Sequence, residues 1–329
     1  MLRKRIFFFG ILCIFFYLVG LLLPRVPFST EVVFASHASP PSLPLFSVLP
    51  LAPVGEKTAP VKTTAPVSTK APAPADAAIF DAKPALINGK YQIQNSAGYA
   101  FDTDALLSLP FSVSGEKPRV LLYHTHTSEA YTESEGYTYT ASDAYRTEDQ
   151  SLNICRVGEA LRASLEAQGI EVVHDTTSHD FPSYSGCYAR SLETVENNLA
   201  LSGNFDLVID LHRDAIAGED GRYLKTACEI NGKTAAQALV VIGTDRGGLP
   251  HPNWQTNLAL GLKVQKKLCE MYPELPRPLH LRTERFNGHV SDRALLLEIG
   301  SCGNTMEEAL YAAELVGNAI SAVLLEYTA

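Results

Sequence analysis

The sequence predicts an α/β domain with a mostly parallel central sheet and helices on both faces, carried behind an N-terminal membrane anchor and a Pro-rich linker. Three observations predict it. Apolar runs of strand length at 119–123, 205–212 and 294–300 alternate with stretches whose Leu, Val and Ile recur at helical spacing. Two of those runs stop at histidine, and the third carries a glutamate near its end, as strands do when they deliver side chains to a crevice at their carboxyl ends. The composition also shifts from Pro, Ala and Thr to aromatics near residue 79, which separates a tether from a body.

Taken in order, residues 6–23 form an uncharged apolar run behind Arg3, Lys4 and Arg5. Eighteen residues at 1.5 Å each reach roughly 27 Å, enough to cross a bilayer with little tilt. The basic flank places the N-terminus in the cytoplasm and the rest outside. The competing reading is a cleaved signal peptide ending near Val33, Phe34 and Ala35, but that site lies unusually far beyond the apolar run. Residues 1–25 are therefore expected to be an anchor. Residues 26–78 follow as a linker in which nine prolines lie between Pro40 and Pro74, a composition that favours extended polyproline II over a packed core. Residues 79–116, with Tyr91, Tyr99, Phe101, Leu106 and Phe111, are expected to pack as an extension on a catalytic domain at 117–329.

Within the body, RVLLYHTHTSEAY (119–131) opens as a buried strand and ends in His124, His126 and Glu129. A polar loop at 132–147 precedes a helix at about 149–168, with Ile154, Val157, Leu161 and Leu165 on one face and Gly169 placed to stop it. A short strand at 171–174 and a helix at 188–202 lead into the FDLVIDLH strand. Residues 223–230, the Asn231-Gly232 turn and residues 237–243 read as a hairpin. A helix at about 253–271, an extended piece at 279–286, the ALLLEIG strand and a final helix at 305–326 complete the alternation.

A net charge of −9 and a pI near 5.5 leave no basic stripe for nucleic acid. Cys13 falls in the anchor, and the other five cysteines form no CxxC pair, so they do not read as a disulfide framework.

The chemistry these residues permit is that of a metal hydrolase. A catalytic zinc takes about three protein ligands, mostly His with a carboxylate. His212 at the end of its strand is one candidate, with Asp210 on the same side of the strand to orient its imidazole. Either His124 or His126 supplies another, and spacing alone does not choose. The third is Glu148 or Asp149 at the helix start, unless they are an ordinary acidic pair favoured by the helix dipole. Glu298, embedded in leucines and isoleucine, is expected to have a raised pKa suited to a general base, unless it sits in a core salt bridge. His174 and His179 flank the second strand and are candidates to line the cleft, while His37, His251, His280 and His289 receive no role.

At these positions the chain resembles the stage II sporulation protein P family of endospore-forming bacteria. The resemblance rests on VLLYHTHTSEAY (120–131), VGEALRASLEAQGIEVVHDTTSHDFPSYSGCYARSL (157–192), VIDLHRDA (208–215) and LLLEIGSCGNTMEEA (295–309). That family is similar to zinc-dependent N-acetylmuramoyl-L-alanine amidases, so the resemblance implies an amidase-like fold and a membrane-anchored peptidoglycan hydrolase active in engulfment of the forespore. It also implies cross-link endopeptidase cleavage and work beside the stage II sporulation proteins D and M. Carried over residue by residue, the amidase metal histidines fall on His126 and His212, with His124 at a place where amidases have none. The catalytic glutamate falls on Glu298, and the glutamate ligand falls loosely on Glu148 or Asp149. Arg213, Asn304 and His179 are candidate substrate contacts. A catalytically silent wall-binding scaffold, a glycan deacetylase and a carboxypeptidase are the rival readings.

Overall fold

The computed structural model describes residues 77–328. The expected anchor and linker, at 1–25 and 26–78, lie outside the described residues apart from the last two positions of the linker. The chain first forms three short strands, β1 (Leu86–Ile87), β2 (Lys90–Tyr91) and β3 (Ile93–Asn95), and a one-turn helix, α1 (Thr103–Leu107). Then come β4 (Arg119–Tyr123), α2 (Ile154–Ala167), β5 (Glu171–His174), α3 (Cys187–Ser202), β6 (Leu207–Asp214), β7 (Ala227–Ile230), β8 (Lys233–Ala236) and β9 (Ala238–Ile242). Finally α4 (Trp254–Met271), β10 (Leu279–Leu281), β11 (Ala294–Ser301) and α5 (Met306–Glu326) close the chain.

Seven strands form one sheet in the order β3-β10-β9-β11-β6-β4-β5. Every neighbouring pair is parallel except β11 and β9, so the sheet is mostly parallel, as expected, with one reversal beside its centre. Strand alternation sorts the side chains. Val120 and Leu122, Leu207, Ile209 and Leu211, Val240 and Ile242, and Leu295, Leu297 and Ile299 join one large core with residues of α2, α4 and α5. The opposite positions split. Leu121, Tyr123 and Val208 pack with Val195 of α3, while Leu239, Val241 and Leu296 make a small separate cluster against Phe286. Asp210, His212 and Glu298 follow the same alternation onto this second, thinly covered face.

Local chemistry moves several boundaries. Helix α2 starts at Ile154 and not near 149, because Asp149 Oδ1 accepts hydrogen bonds from Ser151 N and Oγ in a turn, and Asn153 Oδ1 caps Cys155 N. The hairpin pairs Ala227–Ile230 with Lys233–Ala236 and not with 237–243. Asn231 and Gly232, at φ 53° and 74°, close a two-residue turn in which Ile230 faces Lys233, so the partner strand begins at once. The wholly buried ALVVI run of β9 belongs instead in the central sheet. Helix α5 is long and apolar enough to cross a membrane, at a mean hydropathy of 1.3, but 67% of that window is buried against the rest of the protein, and it serves as a core helix. Its start is held by a capping box between Thr305 and Glu308. The five cysteines among the described residues are all free.

The extension is built into this body. Strand β3 adds to the sheet edge beside β10, Tyr99 stacks on Trp254 at 4.7 Å, and Phe111 meets Tyr327 edge-on at 5.4 Å.

Candidate metal centre

His126 lies three residues beyond the end of β4, where the chain turns back on itself through a bond from Glu129 N to His126 O at 3.3 Å. The turn places Glu129 beside its own histidine, and β6 delivers His212 from the neighbouring strand. One donor atom from each of these three buried residues lies within 4.8 Å of the other two. The His126 and His212 rings meet edge to face, with centroids 5.2 Å apart.

The donor set fits a catalytic zinc. Two imidazoles and a carboxylate are a known ligand combination for that ion. His126 Nδ1 is buried without a hydrogen-bond partner, and an orphaned polar atom in a protein interior is rare unless something else fills its valence. Burial lowers the His126 pKa to about 4, so this imidazole is neutral and its lone pair is free to ligate. Burial also works against charge on Glu129, yet Arg213 and His212 outweigh it and hold the carboxyl well below the usual range. His212, although buried, has its pKa raised well above normal by Asp210 and Glu129 on either side. The pair of carboxylates therefore demands a positive charge between them.

The carboxylates are themselves anchored. Asp210 Oδ1 lies 2.9 Å from His212 Nε2, and the Asp210 carboxylate accepts hydrogen bonds from Thr125 N at 2.8 Å and Thr125 Oγ1 at 2.7 Å. Glu129 Oε2 lies 3.4 Å from His212 Nδ1 and accepts a bond from Arg213 N at 3.1 Å. Glu298 pairs in register with His212 across β11 and β6, and the register slips between Glu298 and Ser301. Such bulges re-aim side chains next to functional sites. Gly300, at φ 66°, makes this one possible: a Cβ there would stand 2.8 Å from Asn304 Oδ1 and 2.9 Å from Ala236 Cβ. Burial raises the Glu298 pKa to about 8, and its Oε2 has no hydrogen-bond partner. His126, Glu129, His212 and Glu298 line one groove of about 480 Å³.

Other expected residues fall elsewhere. His124 is fully buried, with Nδ1 on Leu211 O and Nε2 on His174 Nε2, both at 2.9 Å, which leaves no lone pair for a metal. Glu148 and Asp149 are exposed and outside the cluster, because the turn at 149–151 directs them outward; Glu129 takes the place expected for them. Asn304 is not a substrate contact, since Oδ1 accepts from Thr226 N and Ser301 N while Nδ2 donates to Thr226 O and Glu308 Oε2. His179 is likewise saturated by His124 O and Thr194 Oγ1. Arg213 lines the groove, but its guanidinium donates to Ala130 O and Tyr145 O and steadies Glu129.

Two participants were not expected. Glu129 had a visible signal, the His-x-x-Glu spacing that a tight turn folds onto one centre. Tyr184 had none: its ring stacks on His126 at 4.7 Å and its hydroxyl lies 3.1 Å from His126 Nε2, a meeting made by a loop 58 residues away.

Comparison with known proteins decides the family. A sequence model described as stage II sporulation protein P matches residues 57–321. The chain belongs to the stage II sporulation protein P family. It is 28% identical over 224 residues to stage II sporulation protein P of Bacillus subtilis (strain 168), covering 64% of this chain and 52% of that protein, so it spans about half the length of this relative. Among solved structures it is similar to the CwlD amidase from Clostridioides difficile in complex with the GerS lipoprotein. There the identity is 13% and the TM-score 0.40, covering 64% of this chain and 98% of the other. An N-acetylmuramoyl-L-alanine amidase from Clostridium difficile 630 matches at 18% identity and TM-score 0.37, covering 65% of this chain and 97% of the other.

Proposed function

We propose that this protein is a zinc-dependent peptidoglycan hydrolase of sporulation that cleaves the N-acetylmuramoyl-L-alanine amide. The observation that carries the reading is the meeting of His126, Glu129 and His212 in one buried cluster beside a carboxyl whose pKa is raised to about 8. Family membership supports the wall as the substrate and sporulation as the setting.

When bound, zinc supplies Lewis-acid polarisation of the scissile carbonyl. His126, Glu129 and His212 would hold it, with Asp210 fixing the His212 ring. Glu298 Oε2 takes the proton of the attacking water and returns it to the departing amine. A carboxyl poised near neutrality exchanges protons in both directions with little penalty. The groove, with the Tyr184 and Tyr188 rings in its wall, would receive the peptide side of the bond.

Residues 1–25 serve in this proposal as a membrane anchor and 26–78 as a tether. At about 3.1 Å per residue the Pro-rich stretch at 40–78 alone would extend on the order of 100 Å and carry the hydrolase at 117–329 into the wall. The test is mass spectrometry of muropeptides after digestion of purified sacculi, with and without a chelator. Release of peptide from muramic acid, abolished by chelation and restored by zinc, is expected. Sacculi left intact by zinc-loaded protein overturn the proposal, and products cut only within cross-links move the scissile bond.

A further inference from the structure

The groove carries more positive charge than the chain around it. Arg146, Arg213, Arg277 and Arg282 line it against three carboxyls, one of which is Glu298, in a protein of net charge −9. The protein itself occupies three of these arginines. Arg146 donates to Asp180 Oδ2 and Ser128 Oγ, Arg213 to two backbone carbonyls, and Arg282 to both oxygens of Glu284. Arg277 differs. Its Nη1 donates to Asp214 Oδ2 at 2.8 Å, and neither Nε nor Nη2 has a protein acceptor among the described residues.

Its mounting is rigid. Arg277 stands between Pro276 and Pro278, which fix the backbone on both sides. Its N–H donates to Ala238 O at 2.8 Å, and its carbonyl accepts from Gln265 Nε2 at 2.8 Å. The guanidinium sits 5.6 Å from the centroid of the Phe80 ring, and the side chain is only 12% exposed. A half-used fork mounted on so fixed a backbone is suited to a carboxylate, which guanidinium binds through two parallel bonds.

Position sets which carboxylate. Asp214, the partner of Arg277, lies two residues beyond His212 on the same side of β6, which is about 7 Å along the strand. An extended peptide covers that distance in about two residues. We infer that Arg277 is a specificity determinant of the hydrolase proposed above, reading a free carboxylate on the wall peptide one or two residues from the scissile amide. The inference rests on that proposed reading, but it makes a separate demand: substrates that differ only in this charge must be told apart.

The experiment compares a soluble muramoyl dipeptide whose second residue carries a free α-carboxylate with the same compound bearing a primary amide there. The zinc-loaded protein is expected to favour the carboxylate by roughly 10- to 100-fold in kcat/KM, as a charge-assisted hydrogen-bonded pair would give. In Arg277→Gln the ratio is expected to fall to about one, and in Arg277→Lys to an intermediate value, because the charge remains and the fork is lost. The ratio is unaffected by any loss of folded protein. An equal rate on both compounds in the parent, or a ratio unchanged in Arg277→Gln, overturns the inference and leaves the hydrolase reading intact. If neither compound is cleaved, calorimetric titration of both against parent and Arg277→Gln decides instead. A parent preference for the carboxylate that the variant lacks supports the inference, and its absence overturns it.

Discussion

The two faces of the central sheet are built from the same strands and do opposite things. On one face Leu207, Ile209, Leu211, Leu295, Leu297 and Ile299 disappear under α2, α4 and α5. On the other, the intervening positions begin apolar, with Val208 and Leu296, and end polar, with Asp210, His212 and Glu298. There α3 packs on the β4 and β6 side, and the middle of the sheet is left as the floor of the groove. Period-two alternation is what lets β6 carry a core face and a proposed metal ligand at once, and a slip of one residue would exchange them. Stability is therefore concentrated on one face and chemistry on the other.

That division can be broken by substitution. The largest effect is expected from Glu298→Gln, which keeps shape and burial but removes the proton acceptor. Activity on sacculi should fall about 100-fold or more, while the melting temperature stays near that of the parent. Comparable losses of both would show that the faces are not independent. His212→Ala and Glu129→Gln should next lower zinc content measured by atomic emission, each by 10-fold or more at sub-saturating metal. On the opposite face, Leu211→Ala should cost about 2–5 kcal/mol in chemical denaturation while leaving kcat per folded molecule unchanged.

Acid sharpens the contrast. His124, His251 and His280 are held neutral by burial at pKa values of about 3, 4 and 4, against 6.5 in the unfolded chain. Their contribution is complete above pH 6.5 and is lost as pH falls from there toward 4, because only the unfolded chain takes up protons in that window. The melting temperature of metal-free protein should fall through that range, and a flat profile would contradict the burial of these rings. The smallest effect belongs to Gly300→Ala, where the left-handed backbone alone costs about 1–2 kcal/mol and the close approach to Asn304 adds to it.

Much of this was legible beforehand. The strand runs, His212 and Glu298 could be read because buried strands announce themselves by unbroken Leu, Val and Ile, and a polar residue inside such a run is conspicuous, whereas the run before HTH left His124 and His126 equally open. Side-chain partnerships could not be read. Nothing in the string HTH shows that His124 turns inward to His174 while His126 faces the groove, since that choice depends on where β5 and Gly158 lie: a Cβ on Gly158 would stand 2.8 Å from His124 Nε2. Asn304 and His179 looked like substrate contacts because polarity is visible in sequence, whereas saturation by neighbours such as Thr226 and Thr194 is not. The start of α2 was misplaced because Asp149 and Asn153 offered competing side-chain bonds.

The pairing of β3 with β10 bears on how the protein can be shortened. A fragment beginning at residue 117 would strip the outermost ribbon from the sheet and present the N–H and C=O groups of Leu279–Leu281 to any passing chain, a recipe for self-association. It would also discard Phe80, and with it one wall of the cleft beside Arg277. Soluble, competent material should therefore begin no later than about residue 77, well ahead of the first long strand.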